Sequence, residues 1–395
     1  MKNIIYLLFI LNLIILNNLN AQLQTIKSNK IELNSEVPPL SINAFSADKV
    51  DEFKNKYQSS DTKFQTNFTS NFKLQTSNFK LLEPSNFKLQ TSNFNLSEPS
   101  DSFDKKRFWT LLGTGATIHT GALILLNKVW YAQYPRSAFH YFDDQREWME
   151  IDKAGHILTA YTATKWAYNA VRWSGMKNKN ATLIAMSTGM LFQTSLEFLD
   201  GFSTEWGFSW ADMLSNTSGC ALFGFQQAVW EEQRIILKIS NTPRNYSTTP
   251  IRSTDGLKTS SLRQRANDLY GENYTQTFFK DYNALTFWLS VNPNSFNKKG
   301  RFPTWLNIAI GYGADNMFGG YNNQWPTAKP EFILSNNDFP RYRQLYVSLD
   351  IDLSRIKTKS KLLNTVLRTI NFIKIPSPTL EFNSLNQIKF HPLFF

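Results

Sequence analysis

The sequence predicts a mainly α protein: a helical bundle of about four apolar helices, long enough to be embedded in a membrane, with a small C-terminal β or α+β part and a disordered N-terminal region. Three observations carry this. Between 105 and 240 the chain holds four apolar, small-residue stretches of helical length. Before them lies a low-complexity segment with a short tandem repeat. After them comes one stretch of clean period-two alternation, at 344–353.

Residues 1–21 have the pattern of a signal peptide. A weakly basic start (Met1-Lys2-Asn3) precedes an apolar run from Ile4 to Leu16, and Leu19-Asn20-Ala21 offers a small residue for cleavage. Residues 22–104 are rich in Ser, Asn, Thr, Gln and Lys with isolated Phe. Within them 70–84 (SNFKLQTSNFKLLEP) and 85–99 (SNFKLQTSNFNLSEP) repeat in tandem. Two short copies build no solenoid core, so this segment is expected to be disordered.

The stretch 108–130 is long and apolar enough to cross a bilayer, with Trp109 and Trp130 near its ends. Gly113, Gly115 and Gly121 would permit close helix contact, and His119 within the run fits a hydrogen-bonded packing role. A loop rich in Tyr, Asp and Arg follows at 131–150. Further helices are expected over 154–173, 181–199 and 209–230. Asp200-Gly201 closes the second of these, Ser209 with Asp212 opens the third as a capping pair, and Ala211, Ser215 and Gly219 form a stripe suited to tight packing. A helical domain at 105–240 and a connector at 241–283 thus precede a C-terminal part at 284–395. There 284–291, 305–313, 344–353 and 387–395 have strand character, and 361–373 can form an amphipathic helix. Four strands are too few for a closed outer-membrane barrel, so a small sheet packed on the bundle is expected.

The chain has 395 residues and a formal charge of +11. The basic residues are dispersed, for instance Lys105-Lys106-Arg107 and the run at 298–301. In a secreted chain this favours a solvated surface or anionic lipid over nucleic acid. The single cysteine, Cys220, excludes an intramolecular disulfide framework and a lipid-acceptor cysteine after the leader; it reads as a buried, inert thiol. No nucleotide loop, nucleophile elbow, zinc-finger spacing or dinucleotide fingerprint is present, and no cofactor is expected.

Three polar clusters interrupt the apolar helices at spacings of three or four, which puts each cluster on one helix face: Asp152, Lys153 and His156; Gln193, Glu197 and Asp200; Ser209, Asp212 and Asn216. Turned towards each other, the three faces would make a polar pocket. His156 as acid or base, Glu197 as its partner and Asp212 or Asp200 as a second carboxylate would suit a hydrolase or transferase, with Lys153 steadying a phosphate. One His with carboxylates is a weak metal pattern without HExxH spacing, and no metal is assigned. The same residues would also serve as a packing network, with Asp152 and the Ser209–Asp212 pair capping helices.

DKAGH at 152–156, EFLDGF at 197–202 and GFSWADMLSNTSG at 207–219 together resemble the signature of the YfiM-like bacterial envelope family, a domain of unknown function. The looser pattern is similar to VanZ-like membrane proteins, a family associated with glycopeptide resistance. The resemblance covers 150–225 and implies a protein of the Gram-negative cell envelope, periplasmic or at the outer membrane. Membrane lipids and an envelope protein are the partners expected, and nucleic acid is not. A structural or docking role is the leading expectation. The alternative is an enzyme acting on lipid-linked or cell-wall intermediates through His156, Glu197 and Asp212.

Overall fold

A computed structural model describes residues 100–395, apart from 132–133, 298–301 and 327–330. The expected signal peptide, the repeat and the basic run at 298–301 lie outside these residues. The first four helices, α1 (Lys105–Leu126), α2 (Ile151–Trp173), α3 (Asn178–Asp200) and α4 (Trp210–Val229), stand close to the four apolar stretches. Ser209 caps α4, its hydroxyl accepting from the Asp212 N–H at 3.1 Å. At Gly219 a Cβ would sit 2.2 Å from the Ile157 carbonyl, so the glycine is what lets α4 lie against α2. The glycines of α1 do not behave this way: Gly113, Gly115 and Gly121 face open space. Gly201 ends α3 in right-handed conformation, and its lack of a side chain makes room for the Phe139 ring.

The C-terminal half overturns the mainly α class. Strands β1 (Ile235–Asn241), β4 (Leu285–Val291), β5 (Leu306–Asp315), β8 (Tyr342–Ile351), β9 (Ser377–Asn383) and β10 (Ile388–Phe394) form a six-stranded antiparallel sheet in the order β1-β4-β5-β8-β9-β10. This sheet is the body of that half and not a small appendage. Two short ribbons, β2 (Ile251–Arg252) with β3 (Thr259–Ser260) and β6 (Gln324–Trp325) with β7 (Phe332–Ile333), fill its connections. Helices α5 (Leu262–Tyr270), α6 (Tyr274–Lys280), α7 (Pro293–Phe296) and α8 (Lys361–Thr369) do likewise. Among the described helices only α1 is long and apolar enough to cross a membrane.

Two strands of the six-stranded sheet escaped the sequence for physical reasons. β1 continues the apolar character of α4, and the break between them is a left-handed Glu231 (φ 53°) that no glycine announces. β9 contains Pro378, which normally argues against an inner strand. Here the β9–β10 register shifts between His391 and Phe394, and the proline falls beside that bulge.

The sheet is inverted relative to a water-soluble one. Its inner face carries Lys238, Ser290, Asn307, Gln344, Ser348, Asp350, Thr379 and Glu381, all buried. Its outer face carries Ile308, Ile310, Leu345, Val347, Leu349, Leu380 and Phe382, all exposed. The inner polar groups are paired. Lys238 Nζ lies 2.7 Å from Asp350 Oδ2 with both side chains 0 % exposed, and Ser290 donates to the same carboxylate at 2.6 Å. The sheet also curls far enough to bring its ends together. Phe394 of β10 packs on Tyr346 (4.7 Å) and on Trp288 of β4 (6.1 Å), and the Thr242 hydroxyl, just past β1, donates to the Phe395 carbonyl. Where the helices meet the sheet they cover the apolar outer face: Leu158, Tyr161 and Phe223 pack with Leu237, Ile239 and Phe287. The described residues leave the outer face of β5, β8, β9 and β10 uncovered.

Candidate functional site

The approach to α2 sets the site. Trp148, Met149 and Glu150 are consecutive left-handed residues (φ 51°, 52° and 61°), each costing about 1–3 kcal/mol for a side-chain-bearing residue. The surroundings hold all three. The Trp148 N–H donates to Gly320 O at 2.8 Å, the Tyr312 hydroxyl donates to Met149 O at 2.6 Å, and Arg343 grips both Glu150 oxygens at 2.8 and 3.0 Å. Because α2 starts at Ile151 behind this run, Asp152 does not cap it. The Asp152 carboxylate instead accepts from Lys153 Nζ at 3.0 Å and from the Tyr282 hydroxyl at 3.1 Å.

Two cations sit among four carboxyls. Lys153 Nζ lies 2.6 Å from Asp212, 2.8 Å from Asp144 and 3.0 Å from Asp152. The His156 ring lies 3.5 Å from Glu197, 3.5 Å from Asp212 and 3.7 Å from Asp152, and 3.1 Å from Asn216 Oδ1. Gln193 donates to the same Asn216 oxygen at 2.6 Å. Ser209 ties the cluster to the loop before α2, donating from its hydroxyl to Asp144 at 2.6 Å and from its N–H to Glu197 Oε2 at 3.4 Å. The nine residues singled out by spacing therefore stand together, with Asp200 at the margin, bonded to the Tyr131 hydroxyl at 2.8 Å. Asp144, Glu147 and Tyr282 belong to the site without having been singled out. Asp144 and Glu147 stood in an acidic loop with no periodicity to mark them, and Tyr282 is 130 residues from its partner Asp152.

Charge is in excess, and the titration of the groups follows. Burial pushes Glu197 up to about 8, against the opposing charge of His156. Burial likewise raises Asp212 to about 7, and Asp200 to about 7. Burial raises Asp152 too, but His156 and Lys153 outweigh it and hold that carboxyl below its ordinary range. Burial works against the His156 imidazolium, yet Asp152, Asp212 and Glu197 outweigh it and raise its pKa. Asp152 is thus the ionised partner of the ring, while Asp212 and Glu197 share protons with it near neutrality. Glu197 Oε1, Gln193 Oε1 and Asn216 Nδ2 are buried without a hydrogen-bond partner among the described residues.

This geometry narrows the chemistry. Lys153 is enclosed by three carboxylates, so a phosphate approaching it would meet net negative charge; the role of phosphate anchor does not fit. Asp152, His156 and Asp212 do bring ligand atoms within 4.8 Å of one another. The oxygens that face His156 Nε2, Asp152 Oδ2 and Asp212 Oδ1, also face Lys153 Nζ, which serves as the internal cation there. Cys220 is buried in α4, accepts from the Thr164 hydroxyl at 3.2 Å, and burial raises its thiol pKa, which leaves it inert. His119 packs edge-on against Phe192 at 5.4 Å and its Nε2 has no hydrogen-bond partner among the described residues, which departs from the hydrogen-bonded role expected of it.

Beside the cluster opens a cleft of about 630 Å³, to which Glu147 and Tyr282 are common walls. Residues 140–228 match a family described as "Predicted periplasmic lipoprotein (DUF2279)". The matched span holds every cluster residue of α2, α3 and α4 together with Asp144. The description supports a place in the cell envelope, assigns no activity, and names neither the YfiM-like nor the VanZ-like family. No curated protein and no solved structure matches the chain.

Proposed function

We propose that this chain is a membrane-seated envelope protein, with lipid acyl chains against the uncovered outer face of the sheet and α8 in the head-group layer. The observation that carries it is the inverted sheet. A domain bathed in water on all sides gains nothing by burying Lys238, Asp350 and Glu381 while exposing a continuous row of Leu, Ile, Val and Phe. A lipid surface reverses that balance, at roughly 25 cal/mol for each Å² of apolar surface covered. α8 agrees with this. Leu362, Leu363, Val366 and Ile370 share one uncovered face, Leu362 being 76 % exposed, and Lys361 and Arg368 stand on the polar side.

The test is flotation of the full chain with vesicles of phosphatidylethanolamine and phosphatidylglycerol. The wild type should float with the vesicles, and Leu363→Glu combined with Val366→Glu should lower the bound fraction. A chain that stays monomeric and soluble without detergent, and does not float, contradicts the proposal.

A second reading has its own observation: Glu197 is 1 % exposed, its Oε1 is unpartnered, and it stands 3.5 Å from His156. A buried acid sharing a proton with an imidazole, and connected through Asp152 and Tyr282 to an open cleft, suits acid–base chemistry of a hydrolase or transferase. If the cluster serves chemistry, Glu197→Gln should fold at least as stably as wild type. A marked loss of stability in Glu197→Gln at every pH would assign it to packing.

A further inference from the structure

The cleft has a make-up of its own. Trp148, Trp206, Tyr282 and Tyr321 contribute aromatic walls, and Tyr321 is 48 % exposed. Between them stand groups that both donate and accept, and the side chains of Asn322 and Gln324 make no hydrogen bond among the described residues. Charge along the walls is nearly balanced, with Glu147, Glu205 and Asp268 against Arg265 and Lys280. A nucleotide or phosphate site would carry a basic excess, and an acyl-chain site would lack the amides and carboxyls. Aromatic platforms with unengaged amides and near-neutral charge complement a polyhydroxyl ligand, whose rings offer an apolar C–H face and a rim of hydroxyls.

We infer that this cleft binds a saccharide chain, with sugar rings packed on Trp206 and Tyr321 and hydroxyls bonded to Asn322, Gln324 and Glu147. Its volume of about 630 Å³ lies within the range of small-molecule sites and admits a few sugar rings. Two features show the wall to be built and held. Trp148 and Glu147 reach the cleft through the left-handed run 148–150, whose backbone is pinned by Gly320, Tyr312 and Arg343. Gly320 leaves the Glu147 carboxyl its place: a Cβ there would fall 2.2 Å from Oε1 and push that side chain aside. Burial pushes Glu147 up to about 7, so near neutral pH its carboxyl can either donate to or accept from a hydroxyl. The Tyr321 hydroxyl is anchored on Asp143 O at 2.7 Å, which fixes its ring at the mouth. None of this depends on the membrane seat.

The experiment is calorimetric titration of the detergent-solubilised full chain with chitotetraose, cellotetraose and maltotetraose, and with a mixed-charge tetrapeptide for comparison. At least one saccharide should saturate the protein at millimolar concentration or below, and the peptide should not. Tyr321→Ala should weaken that saccharide by about tenfold, as should Trp206→Ala, with the melting temperature of Tyr321→Ala unchanged. Asn322→Ala, a surface change that cannot unfold the protein, should weaken it by about threefold. Saturation by the peptide alone, no saturation by any saccharide, or saccharide binding indifferent to both Tyr321→Ala and Asn322→Ala overturns the inference.

Discussion

Glu197 has the least comfortable surroundings of any side chain in the cluster, and its behaviour with pH follows from them. Its folded pKa, pushed up by burial to about 8, lies above the ordinary carboxylate value of the unfolded chain. The unfolded state therefore releases its proton first as pH rises, and the stability present at acid pH is lost as pH climbs through the folded value. Asp212 and Asp200 act in the same direction through about 7, and His156, also raised, adds to it. Asp152, held low, acts oppositely and only at acid pH. Folding stability in detergent, followed by the melting temperature, should thus fall between about pH 5 and about pH 9, and Glu197→Gln should remove a part of that loss on the order of a few kcal/mol at the alkaline end. An unchanged profile in the variant would mean that Glu197 is not the strained acid. Lys153→Met leaves Asp144, Asp152 and Asp212 without their cation, so chemical denaturation at about pH 8 should show a loss of about 3–5 kcal/mol, smaller where the carboxyls are protonated. At this scale the sequence was informative wherever residues recur on one helix face, as Asp152 and His156 or Gln193 and Glu197 do. It was silent on Asp144 and Tyr282, which reach the cluster from a loop and from a distant segment by tertiary folding alone.

Helices and strands differ in how openly the chain announces them. The helices follow local patterns: a Ser209 cap, a stripe of small residues, an apolar run of sufficient length. Even so, identical residues serve different ends. Gly219 lies where α4 meets the backbone of α2, so Gly219→Ala should cost about 1–3 kcal/mol through forced separation of the helices. Gly115→Ala in α1 meets nothing and should be neutral or stabilising by about 0.5–1 kcal/mol. Thermal unfolding of the two variants side by side checks the contrast, and equal effects would refute it. The strands were half legible. The alternation of β8 stood out, because Leu345, Val347 and Leu349 are separated by Tyr346 and Ser348 in strict order. β1 and β9 did not stand out, the one joined to a helix through a non-glycine left-handed turn and the other bearing a proline beside a bulge. Losing two strands of six turned a curled sheet into an expected appendage, and so gave the wrong class.

As a whole, the described part of the chain combines a helical layer that houses a buried charge cluster with a sheet whose polarity runs the wrong way for water. Alternation in the sequence says which residues share a face but not which face is buried, and on β8 it is the polar one. Asp350 lies inside against Lys238, and Leu345 points outward, 50 % exposed. The same inversion makes sense of α8 and of α1, where Trp109, Ile118, Ile124 and Leu125 are also exposed. Envelope placement and a lipid-facing surface are mutually consistent, and the second is the one that physical measurement can reach directly. An environment-sensitive fluorophore attached at Val347→Cys on the outer face of β8, in a Cys220→Ala background, reports the polarity beside the sheet in reconstituted vesicles. The account predicts blue-shifted emission, quenched by spin labels on lipid acyl chains and protected from aqueous iodide. Water-like emission, quenched by iodide and indifferent to the lipid-bound spin label, would contradict it.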